Sequence, residues 1–209
     1  MKNLEQLLKQ AENIGVKLNP NEAEKLSVFV RMILDKGIKM GLSGRESEEE
    51  IYEKDILDSL LLAPFVPLKG RVLDVGTGVG VPGIPLKILF PEVPFYLIDA
   101  KRKAVLFLEE VAEKLSLTNI RIKHTRVEDL PCEPHDLILG RAVSPAPHFL
   151  EAASFLMAQD GQIILQKGRK WAAEEQETLP VLARSKLKIS RVINGLIGEQ
   201  KLVFVERVR

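Results

Sequence analysis

From Gly70 onward, short apolar runs alternate with stretches of helical periodicity, and this alternation restricts the fold more than any other feature of the sequence. The strand-like runs are RVLDVG, FYLIDA, IRIKHTR, HDLILGRA and GQIILQKG. Helical stretches follow most of these runs, over residues 86–90, 102–115, 148–157 and 171–183. Alternating units of this kind predict an α/β domain whose parallel sheet is covered by helices on both faces.

The last part of the chain is different, because LKISRVI and KLVFVERV are joined by NGLIGEQ with no helix between them. Two strands in direct succession are expected to pair antiparallel. The sequence therefore predicts a seven-stranded, mostly parallel sheet that ends in an antiparallel hairpin.

The first third of the chain has the pattern of helices. Asn21, with Glu24 three residues later, predicts one helix start, and Ser47, followed by acidic residues, predicts another. One buried helical stripe is predicted at Leu26, Phe29, Val30, Ile33 and Leu34. We expect residues 1–66 to form a small helical segment and residues 67–209 to form the main domain.

The composition is that of a globular protein: 209 residues, 45% hydrophobic and 28% charged, with a net charge of +1. No apolar run approaches the roughly 18 residues that would span a bilayer. The single cysteine, Cys132, excludes an internal disulfide and suits a reducing compartment. Three dispersed histidines and one cysteine make a zinc site improbable. We expect a cytoplasmic monomer without a metal or a membrane contact.

A glycine-rich loop, DVGTGVGVPG, follows the first strand directly, starting at Asp74. Gly76 and Gly78 allow a sharp turn and a close approach of the backbone to a ligand. The loop also fits the dinucleotide fingerprint, so a nicotinamide oxidoreductase remains an alternative. Asp74 is placed to organise the loop and to hold an ammonium group, and Pro82 makes the loop bulkier than a pyrophosphate needs. These features favour S-adenosylmethionine as the cofactor.

Acidic residues lie at the end of the second predicted strand and directly after the third. Asp99 ends FYLIDA and can accept hydrogen bonds from both ribose hydroxyls, although it can instead cap the helix that begins near Lys101. Residues 126–129 follow the third strand, at the edge where an adenine would bind. This order of ligand-facing strand ends favours a methyl transferase over a dehydrogenase.

Five segments together resemble the bacterial glucose-inhibited division protein B family: DVGTGVGVPGIPL, LIDAKRKAVLFL, NIRIKHTRVED, HDLILGRAVSP and GQIILQKG. The resemblance implies a Rossmann-like methyltransferase fold and 7-methylguanosine formation in 16S ribosomal RNA or the small ribosomal subunit. It also implies that Gly76 and Val81 lie against the methionine and ribose side of the cofactor. Val127 and Glu128 would lie against the adenine, and Arg141 at the mouth of the site.

The chain departs from the family pattern at several positions. A phenylalanine is usual where Val81 stands, and an alanine where Val127 stands. An Arg-His pair is usual where Lys54-Asp55 stand, and Asn-Leu-Thr where residues 41–43 read Gly-Leu-Ser. The cofactor interpretation survives these changes, and two of the departures fall in the amino-terminal segment.

Cationic and aromatic residues supply the candidate RNA contacts. Arg141 is the candidate catalytic residue, because a guanidinium can hold a phosphate or face the O6/N7 edge of guanine. Its alternative role is a salt bridge to Glu128 or Asp99 that braces the loop. The candidates for contact with the RNA backbone are Arg102, Lys167 and Arg169, and Trp171 either stacks on a base or packs in the core.

Residues that this chain lacks argue against two kinds of base methylation. Adenine-amino methylation needs an Asn or Asp-Pro-Pro-aromatic stretch, where this chain has Ser144-Pro-Ala-Pro147. Cytosine C5 methylation needs a cysteine nucleophile, but Cys132 precedes the fourth strand and is expected to be an incidental buried thiol. Guanine N7 carries no proton and needs no general base. The alternatives are a small-molecule or protein methyltransferase, a nicotinamide oxidoreductase and a non-catalytic ribosome-assembly factor.

Overall fold

The computed structural model describes residues 2–196 and 198–208. Its centre is one seven-stranded sheet with the strand order β3-β2-β1-β4-β5-β7-β6. The first five strands in the chain run parallel, and β7 is antiparallel to both β5 and β6. The strands are β1 (Val72–Val75), β2 (Phe95–Asp99), β3 (Ile120–His124), β4 (His135–Arg141), β5 (Met157–Lys167), β6 (Leu187–Asn194) and β7 (Lys201–Arg207). The predicted sheet with its terminal hairpin is confirmed.

Helices flank this sheet and precede it. The amino-terminal ones are α1 (Lys2–Asn13), α2 (Pro20–Met32), α3 (Glu48–Ile51) and α4 (Asp58–Leu60), with π-helical turns at Ile33–Gly37 and Tyr52–Leu57. Those between strands are α5 (Gly83–Leu89), α6 (Arg102–Lys114), α7 (Ala146–Ala153) and α8 (Trp171–Arg184). Single 3-10 turns lie at Ala63–Phe65, Val127–Asp129 and Ser154–Leu156. Among the described helices, none has the length and apolarity required to cross a membrane.

The two faces of the sheet carry separate apolar cores. One core joins the amino-terminal helices to α5 and α6, and Leu26 and Phe29 lie in it together with Ile84 and Phe107. The other core joins the opposite face of the sheet to α7 and α8. The amino-terminal segment therefore packs directly on one face of the sheet, next to α5. The predicted stripe is buried at four of its five positions, and Leu34 is half-buried.

Two helices have bounds that differ from the predicted ones. Helix α2 starts two residues earlier than predicted, because Asn19 is the N-cap and Glu22 returns a hydrogen bond to it. The helix predicted over residues 148–157 begins at Ala146 and ends earlier, because Met157 already pairs with His135 in the sheet. Ser47, in contrast, is confirmed as an N-cap, since its side chain accepts a hydrogen bond from the Glu50 amide.

We expect Asn19→Ala to lower the free energy of unfolding by about 1 kcal/mol, since the capping side chain satisfies an otherwise free amide at the helix start. Urea unfolding monitored by circular dichroism measures this change. Asn21→Ala is the matched control and should change stability by less than about 0.5 kcal/mol, because Asn21 is exposed and makes no cap. Equal losses in the two variants would contradict the assignment of the cap.

Candidate active site

A cleft of about 650 Å³ opens at the carboxyl edge of the sheet, where β1, β2 and β4 end. The strand order reverses between β1 and β4, and ligands of open α/β sheets bind at such a point. The walls include every residue predicted for the cofactor except Asp74, namely Gly76, Gly78, Val81, Asp99, Val127, Glu128 and Arg141. The structure therefore brings these residues together around one cavity, of the size that small-molecule sites usually have.

The glycine loop between β1 and α5 forms one side of the cleft. Gly76 has φ +65°, and a Cβ at this position would lie 2.7 Å from the Val143 side chain. Gly78 has φ +60°, and a Cβ there would meet no atom within 4 Å. The first glycine is thus required by the left-handed backbone and by close packing. Gly78 leaves open space beside the loop, where a ligand could approach the backbone.

Asp74 lies beneath this loop and is 1% exposed. Its Oδ2 accepts hydrogen bonds from the Thr77 hydroxyl at 2.7 Å and from the Gly83 amide at 3.0 Å. Burial raises the pKa of Asp74 to about 7, although both donors favour the charged form. The carboxylate organises the loop as predicted. It does not contribute to the cleft wall, which is at odds with the predicted contact to a ligand ammonium.

Asp99 closes the end of β2 and is 7% exposed. Its Oδ2 accepts a hydrogen bond from the Gly78 amide at 2.9 Å, and its Oδ1 accepts one from the Lys101 amide at 2.8 Å. The helix cap that we considered as an alternative is wrong, because Lys101 is the N-cap of α6 and no side chain caps it; Asp99 instead braces the glycine loop and the turn that leads into α6. Each oxygen keeps acceptor capacity, since an ionised carboxylate offers about four lone-pair sites. Bracing and ligand binding are compatible.

The far wall of the cleft comes from the turn that follows β3. Val127 is half-buried and Glu128 is exposed, and both lie in the 3-10 turn at Val127–Asp129. Val127 also packs against the core formed with α7 and α8. An apolar side chain next to an exposed carboxylate forms a surface suited to a flat, polar-edged ring.

Arg141 ends β4 at the mouth of the cleft, where its side chain is 12% exposed. Its partner is Asp55, at 2.7 Å, and its Nη2 also donates to the Lys54 carbonyl at 2.6 Å. The salt bridge to Glu128 or Asp99 that we considered is therefore wrong. The partner comes from the amino-terminal segment, 86 residues away in the chain.

Sequence reasoning missed two residues of this mouth as site residues. Asp55 had been noted only as a departure from the family pattern, and Arg45, which pairs with it, had not been considered. Both line the cleft, as do Leu42 and His148. One signal was available, since Asp55 directly precedes the mostly apolar stretch at residues 56–63 and Asp58 lies within it. Acidic residues in such a run are rarely buried without partners.

The predicted RNA-contacting cations differ in their surroundings. Lys167 is buried, pairs with Glu174 at 2.8 Å and donates to the Ser144 carbonyl at 2.8 Å, which is at odds with the predicted contact to the RNA backbone. Arg169 has an 88% exposed side chain, 3.6 Å from Glu199. Arg102 is exposed at the start of α6. Of these three predicted cations, Arg102 and Arg169 are the ones that place a charge on the surface.

Two further predictions are decided by burial. Trp171 is 5% exposed and belongs to the core beside α8, so it is a core residue and not a base-stacking one. Cys132 was expected to be buried, and this is wrong: the thiol is exposed, with its sulfur 3.7 Å from the Phe155 carbonyl. It lies before β4, away from the cleft.

The sequence matches a family described as GidB, rRNA small subunit methyltransferase G, over residues 22–203. The ribosomal RNA small subunit methyltransferase G of Desulfitobacterium hafniense (strain Y51) is 37% identical over 176 residues, which are 82% of this chain and 73% of that protein. The protein of the same name from Ectopseudomonas mendocina (strain ymp) is 33% identical over 207 residues, 97% and 95% of the two chains.

Among solved structures, a SAM-dependent methyltransferase from Aquifex aeolicus superposes with a TM-score of 0.62 at 22% identity. The match covers 83% of this chain and 99% of that one. At this identity the likeness concerns the fold alone, and the predicted Rossmann-like methyltransferase fold is confirmed.

Proposed function

Because this chain belongs to the GidB family of rRNA small subunit methyltransferases, we propose that it transfers a methyl group from S-adenosylmethionine to N7 of a guanine in 16S ribosomal RNA. Membership of the family confirms the resemblance found in the sequence, and S-adenosylmethionine as the cofactor. The observation that supports the choice of N7 is the cleft itself, whose lining includes both Asp99 and Arg141. The cleft has residues to hold both S-adenosylmethionine and a guanine, and methylation at N7 requires no general base in addition.

The described residues fit the cofactor. The open space beside Gly78 admits a ligand against the loop backbone, and Asp99 has acceptor capacity for two ribose hydroxyls. Val127 and Glu128 provide an apolar surface and an acceptor for the adenine ring and its amino group. When bound, S-adenosylmethionine supplies an electrophilic methyl group on a sulfonium.

The protein's contribution to N7 methylation is placement. Guanine N7 has an in-plane lone pair and no proton, so the enzyme has no proton to remove at the attacking atom. Holding N7 in line with the methyl group can lower the barrier by about 7–11 kcal/mol. A single donation from Arg141 to guanine O6 would orient the base and leave N7 free, since O6 and N7 are separate acceptors on the same edge.

The RNA must present its guanine out of the stack for this geometry. Arg102 and Arg169 are exposed and suit contacts to backbone phosphates. The partner is 16S ribosomal RNA or the small ribosomal subunit, and we expect the protein to act on it as a monomer in the cytoplasm.

We expect His148→Gln to keep turnover within about threefold of the wild type. His148 is an exposed histidine on the cleft wall. An enzyme that required it as a general base would lose about 10²–10⁴ in rate. Steady-state methylation of ribosomal subunits measures this, and a loss of a hundredfold or more would indicate chemistry other than N7 methylation.

Arg141→Ala should lower turnover by about a hundredfold, as expected for removing one placed donor from a site, while S-adenosylhomocysteine affinity falls less than about fivefold. Single-turnover methylation and calorimetric titration measure the two quantities. Equal losses of turnover and affinity would assign Arg141 to the cofactor side of the cleft.

The decisive experiment incubates the purified protein with labelled S-adenosylmethionine and small subunits from a strain that lacks the methylation. Borohydride reduction followed by aniline cleaves RNA at 7-methylguanosine and locates the nucleotide. We expect one labelled guanine in 16S ribosomal RNA. Label on protein, on another base atom or on no RNA would overturn the proposal, and binding of NADH without S-adenosylhomocysteine would favour an oxidoreductase.

A further inference from the structure

Three charged side chains meet at the mouth of the cleft, and they come from distant parts of the chain. Asp55 lies in the π-helical turn at Tyr52–Leu57, Arg45 lies in the loop before α3, and Arg141 ends β4. Asp55 Oδ1 accepts hydrogen bonds from Arg141 Nη2 and from Arg45 Nη2, both at 2.7 Å, and its Oδ2 accepts one from Arg45 Nε at 3.0 Å. One carboxylate thus holds two guanidinium groups.

The arrangement around Asp55 has the geometry of strong pairing. Arg45 binds the carboxylate with two parallel hydrogen bonds, the strongest form of an arginine–carboxylate pair. The Asp55 side chain is 4% exposed, so solvent screens the pair little. Its turn is π-helical, and such turns occur often at functional sites.

A second carboxylate near Arg141 is a weaker partner. Asp58 Oδ2 lies 3.8 Å from Arg141 Nε and receives its closest hydrogen bond, at 2.9 Å, from Gln166. Burial raises the pKa of Asp58 to about 6, so Asp58 is still mostly ionised at pH 7, and its longer distance is what makes it the weaker partner of Arg141. The Arg141 guanidinium is therefore held by the π-helical turn, through the Lys54 carbonyl and the Asp55 carboxylate, and Asp55 supplies the charge of this contact.

We propose that Asp55 is a positioning residue for methyl transfer, because it holds Arg141 in its place at the mouth and holds the Arg45 loop against the same cleft. The inference rests on the proposed function for its assay. Without the shared carboxylate, both long side chains would regain rotamer freedom and the target base would meet a mobile mouth. A misplacement of about 1 Å in an active site can cost about a hundredfold in rate.

The inference assigns a functional part to the amino-terminal segment. Leu42, Arg45 and Asp55 of that segment line the cleft together with the strand ends. The segment thus forms one side of the site in which the base is received.

The test uses Asp55→Asn in the full chain, measured for turnover on small subunits and for S-adenosylhomocysteine affinity. Asparagine has nearly the same shape but no charge, and its amide nitrogen cannot accept the second bond from Arg45. We expect turnover to fall about tenfold to a hundredfold, with cofactor affinity within about threefold. A folded variant with unchanged turnover would overturn the inference.

A double-mutant cycle separates positioning from a merely structural role. If Asp55 acts through Arg141, the double variant Asp55→Asn/Arg141→Ala should turn over within about twofold of Arg141→Ala alone. Multiplicative losses would show that Asp55 acts independently and would contradict the inference. Failure of the proposed function is distinguishable, since the wild type would then form no 7-methylguanosine at all.

Two more variants complete the experiment. Arg45→Met keeps the Asp55–Arg141 pair and covers the case in which Asp55→Asn does not fold. Arg45→Met should raise the KM for subunits by about threefold to tenfold with a smaller change in turnover, and an unchanged KM and turnover would overturn the inference.

Glu133→Gln is the matched control, because it breaks the exposed Arg71–Glu133 pair outside the cleft and should leave every kinetic quantity unchanged. A change in this control as large as that in Asp55→Asn would mean that loss of any ion pair lowers activity, and would count against the inference.

Discussion

Gly76→Val is expected to weaken S-adenosylhomocysteine binding by at least about a thousandfold, which corresponds to about 4 kcal/mol. Gly76 has φ +65°, a conformation that a β-branched residue adopts only with strain. Its Cβ would also lie 2.7 Å from the Val143 side chain, which packs against the loop. The backbone strain can be relieved only by a movement of the loop, and the loop backbone lines the cleft in which we propose that the cofactor binds.

Calorimetric titration measures the loss, and thermal unfolding monitored by circular dichroism checks that the variant still unfolds cooperatively. Gly168→Val is the matched control. A Cβ at Gly168 would meet no atom within 4 Å and its φ is not in the left-handed region, so affinity should stay within about twofold. A folded Gly76→Val protein that binds the cofactor normally would show that the loop is only structural.

Asp74→Asn is expected to become more stable relative to the wild type as the pH rises, by up to about 4 kcal/mol between pH 4 and pH 8. Burial raises the pKa of Asp74 from 3.8 to about 7. Since the native pKa is the higher one, the wild type has its full stability below about pH 4 and loses it as the pH rises through 7. Each tenfold change in the acid constant corresponds to about 1.4 kcal/mol.

Urea unfolding of both proteins at several pH values measures the difference, in which all other titrating groups cancel. Asparagine adds a pH-independent cost of about 1–3 kcal/mol, because its amide nitrogen occupies the position of the buried oxygen Oδ1, which has no partner. Thr77→Val provides a second test, because it keeps the Asp74 carboxyl and changes its pKa. It removes a donor that favours the ionised carboxylate, so the titration of Asp74 should move to still higher pH. A stability difference that is constant with pH would contradict the assignment.

The sheet and the cofactor side of the site were predictable because their signals are local. Strand runs, the glycine loop and Asp99 follow one another within short stretches, and parallel strands place their carboxyl ends at one edge. Element ends were less predictable. Asn19 and Asn21 each have a glutamate three residues later, and Pro20 at the first helical position was the signal that favoured Asn19. The early start of β5 at Met157 depends on pairing with His135, which no local pattern contains.

The sequence by itself determined the α/β class, the terminal hairpin and the glycine loop and Asp99 that line the cleft, because each depends on periodicity or spacing within a short stretch of chain. Only the tertiary structure decided which cations are exposed and which are paired. Lys167 and Arg169 are two residues apart, yet one is buried against Glu174 and the other is exposed. Arg141 meets Asp55 across 86 residues of chain. Charge pairing depends on the distance between folded elements and on burial, and neither quantity is encoded in a local pattern.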